Sequence, residues 1–101
     1  MRDDSKPMIF HHSKPFKQLD EEDFVYTVRA ELKVPGPVWI RKTRTGVKKF
    51  DAKVESAERL DSLEDLEDYL DGSGFEDLEE WKDKVRSKQA VNLYIHRVVK
   101  V

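Results

Sequence analysis

The sequence predicts an α+β fold, in which about five to six strands form a small, strongly curved sheet or barrel with two to three short helices. Period-2 alternation marks strands in the first 60 residues, and helical spacing marks two helices in residues 61–86. Alternation then returns in residues 90–101. Because this last strand follows the helices, it has to rejoin a sheet made of the earlier strands.

Length and composition limit the chain to one folded domain. With 101 residues it can bury about two thirds of the surface that the unfolded chain exposes. The charged fraction of 40% is high, but an aromatic fraction of 10% with regular apolar spacing is typical of a folded protein. We expect a domain over residues 8–101 and a disordered tail over residues 1–7, which are polar and end in a proline.

The chain carries no cysteine, which excludes disulfides and thiolate metal sites. No segment has the length and apolarity of a signal peptide or a membrane span. We therefore expect a cytoplasmic protein that makes no membrane contact, with a monomer as the default state. Nothing in the sequence indicates a cofactor.

Residues 23–32 (DFVYTVRAEL) alternate as a strand does. We expect one face of this strand to be buried, the face formed by Phe24, Tyr26, Val28 and Ala30. The other face places Thr27 and Arg29 side by side. They are either a binding feature or part of an exposed face, on which Arg29 pairs with an acid such as Glu31 or Glu55.

A basic hairpin is predicted next. The two prolines of residues 34–37 (VPGP) end the preceding strand, and Gly46 allows a turn between VWIRKT and VKKFDAKV. Residues 41–53 contain six Lys or Arg against one Asp, a pattern that can neutralise phosphates or simply keep an exposed hairpin soluble. The candidate nucleic-acid contacts here are Trp39, as a stacking face, and the basic Arg41, Lys42, Arg44, Lys48 and Lys49.

Residues 61–86 hold eleven acidic and three basic side chains. Asp61 with Glu64, and Asp77 with Glu80, have the spacing of capping boxes at the starts of two short helices. The second helix is predicted to bury Leu78, Trp81 and Val85. Its acidic face is expected to be exposed to solvent.

Two further elements complete the predicted order. Phe16 and Leu19 are three residues apart, as on one turn of a short helix. At the end of the chain Val91, Leu93 and Ile95 alternate with polar or aromatic residues, which predicts a closing strand with one apolar face.

The histidines and the acidic segment do not have the pattern of a metal site. His11 and His12 are neighbours, and neighbours in a strand point to opposite faces, so they are poorly placed to share one ion. The segment DLEDYLDGSGFE lacks the ligand alternation of a calcium-binding EF-hand loop. We expect no metal.

Two stretches resemble one known family. YTVR, residues 26–29, is similar to the T-x-R strand motif of ASCH domains, which belong to the PUA-like superfamily. GFEDLEEWKDKV followed by VNLYIHRVVKV resembles that family's G-F-x-x-x-E-E-[FW] helix and closing strand, and the order of the turn and hairpin between them also matches. The resemblance covers residues 8–101 and implies a PUA-like β-barrel with a cleft beside the T-x-R strand that receives RNA or a nucleoside.

The resemblance also implies what the chain lacks. Enzymes of the family hydrolyse N4-acetylcytidine with a Lys, a Thr and a Glu; Thr27 matches the Thr, but Phe24 and Ser73 stand in the other two places. A threonine hydroxyl needs a neighbouring base to take its proton, and phenylalanine cannot do so.

The sequence therefore predicts a non-catalytic nucleic-acid-binding domain, for RNA, whose ligand lies between the T-x-R strand and the basic hairpin. Two alternatives stay open at this point. One is a small hydrolase that acts on a modified nucleoside, with Thr27 as its catalytic residue. The other is a protein-interaction domain whose acidic helices form the contact surface.

Overall fold

A computed structural model describes residues 6–87 and 92–101 of the chain. The described elements are five strands, two α-helices and one 3₁₀ helix. In chain order they are β1 (Lys6–Ile9), α1 (Ser13–Glu22), β2 (Phe24–Arg29), β3 (Gly36–Arg41), β4 (Phe50–Arg59), the 3₁₀ helix (Leu63–Gly72), α2 (Leu78–Arg86) and β5 (Tyr94–Lys100). The predicted α+β class, with its numbers of strands and helices, is confirmed for this part of the chain.

The five strands form one curled, mixed sheet in the order β1-β3-β4-β5-β2. Only β1 and β3 are parallel, and the other neighbours pair antiparallel. As predicted, the closing strand rejoins the sheet, where it pairs with both β4 and β2. The sheet curls into a half-barrel rather than a closed barrel.

Both faces of the sheet are covered. The inner face carries a core of residues from all five strands, α1 and the segment after β1, namely Met8, Phe10, Leu19, Val25, Val38, Ile40, Ala52, Val54 and Val98. The outer face of β2 and β5 packs against the 3₁₀ helix and α2 through a second core of Val28, Leu66, Phe75, Trp81, Val85 and Ile95. The expectation that β2 buries one face alone is therefore wrong, because α1 and the curled sheet cover its other face.

A glycine between the 3₁₀ helix and α2 allows the chain to approach α1 closely. Gly74 has φ 88°, and a Cβ on it would meet the backbone carbonyl of Lys14. Few side chains tolerate that backbone region, so glycine is the residue that fits. The close approach brings Phe75 to the start of α1, where its ring centroid lies 5.0 Å from that of His12.

Several element boundaries differ from the prediction. β1 begins at Lys6, two residues before the expected start of the domain, and the rest of the predicted tail lies outside the described residues. Ser62, not Asp61, caps the 3₁₀ helix, where its hydroxyl accepts a hydrogen bond from the backbone N–H of Glu64 at 3.2 Å. The predicted cap Asp77 is confirmed: its carboxylate accepts from the N–H of Glu79 at 2.9 Å.

The closing strand begins at Tyr94, so Leu93 precedes it and Val91 lies outside the described residues. Ile95 packs in the outer core, as its predicted apolar face requires. Among the helices that the structure describes, none is long and apolar enough to cross a membrane.

Candidate functional site

A pocket of about 220 Å³ opens where β2, the segment after β1, the start of α1 and the end of α2 meet. Thr27 and Arg29, the pair singled out in the sequence, both line it. The remaining lining residues are Ile9, Phe10, His11, His12, Pro15, Val28, Phe75, Trp81, Lys84, Val85 and Ser87. The pocket thus combines residues from both of the motifs that carry the family resemblance.

Strand register places Thr27 and Arg29 on the inner face of the sheet. They share the parity of Val25, which belongs to the inner core, and Thr27 lies directly opposite His96 on β5. Only 8% of the Thr27 surface is exposed. The pair is therefore not part of an ordinary exposed strand face.

The Arg29 guanidinium is held by backbone and aromatic groups. Its Nη1 donates a hydrogen bond to the carbonyl oxygen of Ile9 at 2.6 Å, and the guanidinium lies 4.6 Å from the Phe10 ring centroid. Its Nε is buried without a hydrogen-bond partner among the described residues. A buried donor without a partner costs free energy, so this N–H is either tolerated or met by something outside the chain.

No acid balances this cation in the part of the chain that the structure describes. Glu55, one of the acids expected as a partner, pairs instead with Arg97 at 2.7 Å, and Glu31 is exposed. Burial lowers the pKa of Arg29 to about 10, well below the ordinary value of a guanidinium. The guanidinium is therefore still charged at neutral pH, although little water surrounds it.

His96 is the nearest titratable neighbour of Thr27 on the adjacent strand, but it is fully buried and already occupied. Its Nε2 accepts a hydrogen bond from the backbone N–H of Lys33 at 2.9 Å. Burial lowers the pKa of His96, and the Arg29 guanidinium acts in the same direction. The imidazole therefore has a structural role and is not free to take a proton from Thr27.

Eleven of the thirteen residues that line the pocket were not predicted as site residues, among them His12, Phe75, Trp81 and Lys84. Lys84 follows Trp81 by three positions on α2, so helical spacing could have placed it beside that ring. Burial lowers the pKa of His12, and the positive charge of Lys84 adds to this effect. At neutral pH the pocket therefore holds two permanent cations, Arg29 and Lys84, and a histidine that resists protonation.

The basic hairpin does not line this pocket. Trp39 and Arg41 share one parity on β3, opposite to the inner-facing Val38 and Ile40, so they project from the outer face of the sheet. The Arg41 guanidinium lies 5.1 Å from the Trp39 ring centroid and covers part of the half-buried ring. Trp39 and Arg41 thus face the side of the sheet opposite to Thr27 and Arg29.

The other hairpin residues differ in their surroundings. The Nζ of Lys42 lies 5.0 Å from the ring centroid of Phe16 on α1, so this lysine turns towards the helix. Lys48 pairs with Asp51 at 2.8 Å. Arg44 and Lys49 are exposed in the loop between β3 and β4.

Phe24 and Ser73 stand in the two places where the hydrolases that the sequence resembles have Lys and Glu. Both residues have packing or hydrogen-bonding contacts away from Thr27. Phe24 has the opposite parity to Thr27 on β2 and packs edge-on against Tyr26, with ring centroids 6.0 Å apart. Ser73 is fully buried; its hydroxyl donates to the carbonyl oxygen of Leu70 at 2.7 Å and accepts from the N–H of Phe75 at 3.0 Å. Neither residue lines the pocket that contains Thr27.

The acidic helices carry a surface that is mostly exposed, with one buried cation beneath it. The Nζ of Lys82 lies 3.0 Å from Glu64 and 3.8 Å from Glu79, and so ties α2 to the 3₁₀ helix. Within the described ranges, the acidic and histidine side chains form no group of three or more that could hold a metal ion.

Comparison of the chain with family models, with curated proteins and with solved structures finds no match.

Proposed function

We propose that this protein is a non-catalytic domain that binds single-stranded RNA, with the pocket beside Thr27 and Arg29 as its principal ligand site. One observation carries the proposal: the pair that the sequence singles out lines a pocket together with Lys84 and the aromatic Phe75 and Trp81. Sequence-specific RNA recognition favours unpaired nucleotides that fit pockets of cationic, aromatic and hydroxyl groups.

The same arrangement supports the ASCH-like, PUA-like assignment as a proposal. The T-x-R strand and the G-F helix are 44 or more residues apart in the sequence, yet both contribute to one pocket, through Arg29 and Phe75 for example. A curled five-strand sheet with helices against it is compatible with a small barrel-like fold. If the two motifs resembled the family only by chance, there would be no reason for them to lie at the same pocket.

Size and chemistry indicate one nucleotide in the pocket. Its volume of about 220 Å³ is below the range of about 300 to 1,000 Å³ that is usual for drug-sized ligands. The Thr27 hydroxyl can donate to or accept from a base edge, and Arg29 can contact a phosphate through charge-assisted hydrogen bonds. Phe75 and Trp81 are 6% and 3% exposed, so they supply an apolar wall rather than free stacking faces.

The hairpin has a secondary part in this proposal. Arg44, Lys48 and Lys49 are exposed and can contact the phosphates of a strand that continues past the pocket. Trp39 and Arg41 face the outer side of the sheet, where a base could stack only after Arg41 leaves the ring. We therefore place the ligand in the pocket and along the hairpin loop, rather than in a cleft between β2 and β3.

Catalysis is left out of the proposal for a physical reason. A hydroxyl nucleophile needs a base within hydrogen-bond reach, and the neighbouring His96 already accepts from Lys33. Incubation with N4-acetylcytidine tests this directly. Turnover that is lost in Thr27→Val would contradict the non-catalytic assignment.

Titration of the protein with a mixed pool of short single-stranded RNA at low salt tests RNA binding. We expect Arg29→Gln to weaken binding at least about tenfold, because it removes the half-buried cation of the pocket. Lys17→Gln is the matched control, since it removes one positive charge from an exposed position of α1 outside the pocket. Absence of any binding, or equal losses in the two variants, would contradict the proposal.

A further inference from the structure

We infer that the pocket accepts a terminal phosphate group, a phosphate monoester at the end of an RNA strand or on a free nucleotide, rather than an internal phosphodiester. This inference rests on the proposed RNA-binding function and names the group that the same pocket selects. It starts from the charges that line the pocket.

The pocket holds a positive charge without an internal counterion. None of the described residues that line it is Asp or Glu, although the chain has 21 acidic residues. Arg29 and Lys84 are its permanent cations, and neither forms an ion pair within residues 6–87 and 92–101. Glu80, an acid whose charge acts on His12, forms an ion pair with Lys14.

Two cations match a dianion better than a monoanion. A phosphate monoester carries a charge of about −1.5 to −2 at pH 7, whereas each internal phosphodiester carries a single charge. A partly buried guanidinium gains most from a ligand that replaces its lost hydration with short, charge-assisted hydrogen bonds. The buried Nε of Arg29 has no hydrogen-bond partner in residues 6–87 and 92–101, so the described part of the fold leaves one donor of the guanidinium unused.

The size of the pocket limits what it can hold. A volume of about 220 Å³, bounded by β2, the β1–α1 segment and α2, fits a single phosphate group with its nucleoside rather than several nucleotides. The Thr27 hydroxyl on the same face can donate a further hydrogen bond to a phosphate oxygen.

The first turn of α1 does not account for the site. The N–H of Lys14 already donates to Nδ1 of His12 at 3.1 Å, and Pro15 has no N–H to offer. Side-chain cations, and not the helix terminus, therefore define the preference. This distinction makes the inference testable by substitution of two residues.

The experiment compares three versions of one short single-stranded RNA, with a 5′-phosphate, a 3′-phosphate or no terminal phosphate, by fluorescence anisotropy at constant salt. We expect one phosphorylated version to bind about tenfold more tightly than the unphosphorylated RNA. Arg29→Met and Lys84→Met should each remove that difference and bring the phosphorylated RNA to the affinity of the unphosphorylated one. Lys17→Met is the control and should keep the difference.

A nucleoside monophosphate and inorganic phosphate, titrated against the protein with NMR detection, identify the source of the phosphate. If the nucleoside monophosphate shifts the signals of Arg29 and Lys84 and binds as tightly as the phosphorylated RNA, the result supports the preference for a phosphate monoester. It also identifies a free nucleotide as the ligand. Because Lys84 is exposed, Lys84→Met keeps the inference testable even if Arg29→Met fails to fold.

Equal affinity for all three RNAs would overturn the terminal-phosphate inference and leave the proposed RNA binding intact. Binding of none of the RNAs, with shifts from a peptide that ends in a free carboxylate, would overturn both. The two failures are therefore distinguishable in one set of titrations.

Discussion

The imidazole of His96 accepts a hydrogen bond from the backbone N–H of Lys33, with 2.9 Å between the two nitrogens. Since a backbone N–H can only donate, Nε2 must be unprotonated, and the proton of the neutral ring sits on Nδ1, 3.2 Å from the carbonyl oxygen of Tyr94. One fully buried side chain thus holds the connection between β2 and β3 against the last strand.

This contact predicts acid sensitivity of the fold. Burial and the nearby Arg29 and Lys33 lower the folded-state pKa of His96 below 6.5, its value in the unfolded chain. The unfolded chain therefore binds the proton first. The stability that neutral His96 contributes is complete above about pH 6.5 and is lost as the pH falls through the lower, folded-state pKa.

Urea unfolding at pH 7.5 and 5.5 measures the effect. We expect His96→Gln to show a smaller fall in unfolding free energy over this interval than the unchanged protein, because one proton-linked group has been removed. The same change at the exposed His11 is the control. Identical pH dependence in the His96 variant and the unchanged protein would refute this account of the imidazole.

Gly74→Ala is predicted to destabilise the protein by about 1 to 3 kcal/mol or more. The new Cβ would lie 2.7 Å from the carbonyl carbon of Lys14 on a backbone with φ 88°. Gly46→Ala is the control, because the closest contact of its Cβ would be the flexible hydroxyl of Thr43, and the Thr43 backbone would lie at ordinary van der Waals distance. Thermal unfolding of both variants measures the loss of stability. Similar losses in the two variants would show that residue 74 does not pack tightly against α1.

The hairpin loop is predicted to contribute to RNA binding in proportion to its unneutralised charge. For single strands each phosphate contact changes the slope of log K against log salt by about 0.7. We expect Arg44→Ala to lower the slope by about that amount, and Lys48→Ala to lower it less, because Asp51 already partly neutralises Lys48. Titrations at four salt concentrations measure this slope. An unchanged slope in both variants would show that the loop does not contact the RNA.

The sequence was informative wherever a local pattern decided the structure. Period-2 alternation identified β2, β4 and β5, and the Asp77 cap marked the start of α2. β1 was missed because it has only four residues, two of them exposed, and forms through parallel pairing with β3, a contact 32 residues distant. No local signal encodes such a pairing.

The candidate site was predicted in part, for a related reason. Thr27 and Arg29 line a pocket, but their inward orientation depends on the curl of the sheet and on α1. The separation of Trp39 and Arg41 from that pair depends on strand register across β4 and β5, which alternation within one strand does not specify. Helical spacing relates Lys84 to Trp81, but only the packing of α2 beside β2 places Lys84 in the same pocket as Arg29.

The position of β5 has a consequence for how the chain folds. This strand lies between β4 and β2, and β5 is the one described strand that pairs with β2. Until β5 is synthesised, the described strands can form only the β1-β3-β4 part of the sheet, with apolar surface and unpaired strand edges exposed. We expect cooperative folding only after Lys100 has left the ribosome, and a nascent chain that needs protection from aggregation until then.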